Sequence, residues 1–78
     1  MIGFILRDTH TGASLGRGLT YATQADAFAA AKRRVRRASA PVDVWWVNDA
    51  GVAKVRLGAV MILDGDLHVT RTGLAADA

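Results

Sequence analysis

Apolar and polar residues alternate from the start of the chain. In residues 2–7, IGFILR, Ile2, Phe4 and Leu6 share one face at period two, which predicts a strand. DTHTG follows as a turn in which Gly12 is free to take positive φ. Residues 13–21, ASLGRGLTY, predict a second strand with Leu15, Leu19 and Tyr21 on one face; Gly16 and Gly18 weaken it and mark a bulge or a close neighbour. The period then changes. Thr23 is placed as a helix N-cap with Asp26 three residues on, a variant of the capping box. At 100° per residue Phe28, Ala31 and Val35 form a buried stripe with Ala25 at its edge, and Pro41 forbids continuation, so the helix spans about 24–39.

Residues 42–48, VDVWWVN, are β-branched and aromatic and predict a strand. Val42, Val44 and Trp46 point one way; Asp43, Trp45 and Val47 point the other. NDAG is a turn, residues 52–63 are a strand kinked at Gly58, and Asp64–Gly65 is a type I′ hairpin signal. Residues 66–72 return as the last strand, and the residues after it, within 72–78, read as a frayed tail.

The expected fold is α+β: one domain over 1–78, with a single five-stranded, mostly antiparallel sheet and one helix on one face, in the order β-β-α-β-β-β. The covered face should hold Phe4, Leu6, Leu15, Leu19, Val44, Trp46, Val55, Leu57 and Val69. The open face should carry Ile5, Trp45, Val47, Lys54 and Arg56, joined by Val60 and Ile62 if alternation persists through the long strand.

Charge singles out one stretch. Five of the ten basic residues, Lys32, Arg33, Arg34, Arg36 and Arg37, fall within six positions at the end of the helix. Arg33 and Arg37 point outward, Arg34 and Arg36 lie on opposite flanks, and Lys32 sits at the edge of the apolar stripe, where its stem packs while its amine reaches water. Cations at a helix C-terminus complement the macrodipole by ~0.3–1 kcal/mol each. That favours one or two bases, whereas five repel one another. The cluster therefore reads either as a solvated helix end or as a surface that meets something acidic, phosphate or protein. Arginine in place of lysine suits bidentate contact with both. On the open face, Trp45 beside Lys54 and Arg56 suits a protein interface, including a homodimer through that face, or base stacking.

Among 78 residues there is no cysteine, no glutamate and no run long enough to span a bilayer. No basic-then-apolar leader is visible, so a cytoplasmic location and no membrane contact are expected. His10 and His68 form no recognisable catalytic or metal arrangement, Asp64 and Asp66 suit a hairpin, and GRG at 16–18 lacks the lysine and helix of a phosphate loop. The expectation is a protein without catalytic residues, metal or cofactor.

Dominance of Ala, Gly, Val and Arg suits a GC-rich bacterium or its phage, and the expected cytoplasm is that of a bacterial host. AFAAAKRRV, Ala27–Val35, following LTYAT, Leu19–Thr23, in a hairpin–helix–meander layout, resembles small anti-CRISPR proteins that inhibit type I effector complexes. That resemblance implies stoichiometric inhibition: a phage protein that occupies a CRISPR effector subunit and blocks recognition of target DNA. Two alternatives stand beside it, a small basic nucleic-acid-binding module and a dimerising, antitoxin-like or structural interaction domain.

Overall fold

The computed structural model describes residues 3–16 and 20–71. Its elements are β1 (Gly3–Asp8), α1 (Gln24–Ala38), β2 (Val42–Val47), β3 (Ala53–Leu63) and β4 (Asp66–Arg71). The strands form one antiparallel sheet in the order β1-β2-β3-β4, so each is hydrogen-bonded to its neighbour in sequence. The class is α+β, with four strands in the order βαβββ. The expected second strand over 13–21 is not one. Gly16 has φ 72°, a left-handed conformation that interrupts an extended run. The segment's described parts, residues 13–16 and 20–21, strap the outer edge of β1 at two isolated bridges, Arg7 with Ser14 and Phe4 with Tyr21. Leu19, Gly18 and the expected tail at 72–78 lie outside the described residues.

The helix starts and stops where its capping residues require. The Thr23 hydroxyl accepts the Asp26 N–H at 3.1 Å, and Ser39, at φ 57°, donates its N–H to the Val35 carbonyl at 2.8 Å to close the last turn. α1 lies over β1, β2 and β3. Ala27, Phe28, Ala30, Ala31 and Val35 meet Leu6, Val42, Val44, Leu57 and Val60, with Phe4, Leu15, Tyr21, Trp46 and Val55 closing the margins. Small alanines on the helix let its backbone approach the sheet, and β-branched valines fill the pleat below.

Strict alternation fails in β3. Register shifts occur opposite Val44/Trp45 and Trp46/Val47, and Leu57 and Lys54 are the additional residues. Each bulge reverses which face the following side chains take. Val60, expected on the open face, is therefore fully buried beneath the helix at 0% exposure, and Ile62 follows it to that side. Val69 pairs with Val60 on the helix side, as expected, yet is 37% exposed because α1 does not extend over β4.

The residue beside the first shift must be glycine. A Cβ at Gly58 would overlap the Thr70 carbonyl oxygen and come within 3.0 Å of the Phe28 ring. No helix among the described residues is long and apolar enough to cross a membrane.

Candidate functional site

The last two turns of α1 carry the basic cluster. Arg33, Arg36 and Arg37 are exposed; Lys32 and Arg34 are half-buried on the two flanks of the apolar stripe. Among the described residues, none of the five is joined to a carboxylate within ion-pair distance. Nothing in the packing requires their charges, because Phe28, Ala31 and Val35 supply the buried surface of those turns. The outcome is a convex cationic ridge in water. The β3–β4 hairpin projects at the same end of the molecule. After the helix ends at Ala38 the chain passes through Pro41 directly into Val42, Val42 pairs with Val60, and β3 continues three residues further to a turn formed by Asp64 (φ 52°) and Gly65 (φ 83°). Both turn residues are left-handed, as a type I′ hairpin requires.

The opposite face of the sheet sets a linked group of polar side chains among apolar ones, Ile5, Trp45, Val47 and Met61. Trp45 points away from the helix, as alternation predicts, but it is half-buried: the Arg7 guanidinium sits over its ring, 5.0 Å from the centroid. The indole Nε1–H is buried without an acceptor. Beside it Asp43, only 8% exposed, accepts the Thr9 hydroxyl at 2.7 Å and pairs with Arg56 Nε at 3.3 Å. Lys54 is exposed at the second bulge. Trp45 and Arg56 are thus brought together as register partners, each already engaged within the fold. A stacking platform needs an aromatic face open to a base, and the guanidinium of Arg7 takes one face of this one.

The turn after β1 ties this face together. Thr9 N–H donates to the Pro41 carbonyl, and the Asp8 carboxylate accepts the backbone N–H groups of His10 and Thr11 at 2.8 and 3.0 Å. These donors, Thr11 first, hold the Asp8 carboxyl below its ordinary value of 3.8. A depressed carboxylate pKa contributes order above the unfolded value and loses it as pH falls through the folded one. The His10 and Thr11 amide resonances are therefore expected to titrate together with a midpoint below 3.8, and Asp8→Ala should abolish that titration. His10 lies in the turn after β1 and His68 in β4. Among the described residues no cluster of three or more His or Asp side chains is placed to hold a metal ion.

The residues singled out by sequence thus divide between two sides of the molecule: Lys32 to Arg37 on the helix ridge, Trp45 and Arg56 on the far face of the sheet. Arg7 and Arg71 were missed. Arg71 stacks on Phe28, its guanidinium carbon 4.1 Å from the ring centroid. The available signals were parity, which places Arg7 with Ile5 on the open face, and the helix-side parity of Arg71 with Val69. Comparison of the chain with protein-family models, with curated proteins and with solved structures yields no match.

Proposed function

We propose that this chain is a binding protein without catalytic residues, which docks on an acidic protein surface through the C-terminal half of α1. The observation that carries this reading is the ridge itself: five adjacent cations that pack nothing with their charges and pair with no described carboxylate. Such a cluster costs self-repulsion in the free protein and is relieved by acidic partners. One feature favours a protein over nucleic acid: Trp45 is capped by Arg7 on the far side of the sheet and Trp46 packs at the margin of the core, so neither ring is offered to the ridge for base stacking. A stoichiometric inhibitor of a type I CRISPR effector is the narrower form of this proposal. It is supported by the Ala27–Val35 segment and by one helix leading into a strand meander, here with a strap in place of the first hairpin's second strand.

The test compares the parent with Arg33→Glu/Arg37→Glu on immobilised poly-glutamate and on a DNA duplex across a salt series. The variant should keep its unfolding midpoint, since exposed charge changes shift stability by only about 0.5 kcal/mol, and should lose about tenfold or more in poly-glutamate affinity. Tighter binding to the duplex, with log affinity falling linearly on log salt, would replace this reading with the nucleic-acid one. An equimolar addition to a type I effector that leaves its target-DNA binding unchanged would remove the narrower form.

A further inference from the structure

The two edges of the sheet are treated differently. On β1 most of the outward groups are already taken: Phe4 exchanges both backbone bonds with Tyr21, Leu6 O accepts from Leu15, and Asp8 bonds Ala13 and Gly12. On β4, among the described residues, nothing is bonded to the outer edge. Native proteins blunt such an edge with proline, a bulge or an inward-pointing charge; Asp66–Arg71 has no proline and pairs with β3 without a register shift. The two-residue turn fixes which groups are outward. In a type I′ hairpin Leu63 and Asp66 exchange bonds, so His68 and Thr70 also face β3, and Leu67, Val69 and Arg71 present their N–H and C=O to solvent.

The helix flank above this edge is cationic. Phe28 lies over Gly58 and Arg71, so its side of α1 faces β4. Lys32 and Arg36 follow one and two turns on along that flank, turning progressively toward solvent. Below them Leu67 packs at the margin of the core and Val69 is 37% exposed, so both are partly uncovered. An apolar step bordered by Lys32, Arg36 and Arg71, with a free strand edge beside it, matches an extended segment whose helix-side residues are acidic around one apolar side chain.

We infer that the β4 edge accepts such a segment of an acidic partner protein as a fifth strand, with Lys32, Arg36 and Arg71 reading its carboxylates. This rests on the proposed function and specifies how the partner is held: main-chain bonds supply affinity and the flank supplies selectivity. A second copy is the poorer occupant, because it would bring its own Lys32, Arg36 and Arg71 toward the same apolar step.

The probe is the capped peptide Thr-Glu-Thr-Val-Thr-Glu-Thr, with Lys for Glu as its control, added to the 78-residue chain while backbone amide exchange is followed. At saturation the Val69 and Arg71 amides should slow about tenfold, being newly bonded, and those of His68 and Thr70 should change little. Val69→Pro, which removes the outward N–H together with the valine side chain and leaves no bond to β3 broken, should abolish the effect; Lys32→Glu/Arg36→Glu, on the helix and outside the strand's backbone, should weaken the peptide about tenfold and serves if the proline variant does not fold. Three results would overturn the inference: binding that leaves Val69 and Arg71 exchange unchanged, equal binding of the Lys peptide, or protection of these amides that rises with protein concentration alone. Sensitivity to Arg33→Glu/Arg37→Glu with indifference to the β4 and Lys32/Arg36 variants would keep the ridge and remove the edge; the converse would keep the edge and remove the outward ridge.

Discussion

Phe28→Ala is expected to cost about 3–5 kcal/mol in a urea unfolding titration, the usual range for deleting a buried aromatic. Phe28 is the largest of the fully buried side chains. It is the point at which α1, β3 and the end of β4 meet, lying over Gly58 and under the Arg71 guanidinium. No neighbour is placed to refill its volume, because alanines flank it on the helix face and a glycine lies below. Small domains have total stabilities toward the low end of about 5–15 kcal/mol, so the variant should be substantially unfolded at ordinary temperature. Phe28→Leu keeps most of the volume and loses the ring over which Arg71 sits; it should cost less than about 1.5 kcal/mol. A loss below about 1 kcal/mol for the alanine variant would mean that the helix is not anchored here.

Gly58→Val should destabilise by about 1–3 kcal/mol or more, the range for overpacking a filled interior. The obstruction is unusual in being mainly backbone: the added Cβ meets the Thr70 carbonyl oxygen, which cannot rotate aside as a side chain could. Relief requires β4 to move away from β3, so amide exchange should accelerate first around Thr70 and Arg71. Gly58→Ala already contains the offending atom and should show most of the effect. Combined with Phe28→Ala, its cost should fall only in part, because truncating the ring frees one contact and leaves the carbonyl in place. An alanine variant as stable as the parent would show that the strands are not held this closely.

Much of the fold follows from local chemistry that a sequence displays. Thr23, Pro41 and the Asp64–Gly65 pair mark boundaries through hydroxyl capping, a missing N–H and positive φ, and the helix and hairpin fall where they require. The strand ends of β2 agree within one residue because β-branched residues bounded by turn signals leave little freedom. Errors arise where the deciding neighbour is distant. Leu15 and Tyr21 have the right parity for a strand, but Gly16 breaks the ladder between them, leaving a strap. Val60 falls on the other face from the one alternation predicts because the bulge at Leu57 sets an extra residue opposite Val44 and Trp45, a pairing that the local sequence does not display. The basic ridge was legible because helix geometry alone sets its direction. The Arg7 cover over Trp45 was not, since it depends on a diagonal between strands joined by more than thirty residues of intervening chain.

The strap on β1 bears on how copies of this chain can associate. Strand addition at β4 by another molecule's β1 would place identical surfaces head to tail, an arrangement that does not close and grows into a filament. With Phe4, Leu6 and Asp8 already engaged by Ala13, Leu15 and Tyr21, the receiving edge for that growth is occupied. A segment added at β4 would therefore not be matched by growth at β1, and such an addition would end the sheet rather than propagate it. Variants that release the strap, such as Tyr21→Pro, would expose both margins at once and are expected to associate head to tail, seen as particle growth in light scattering.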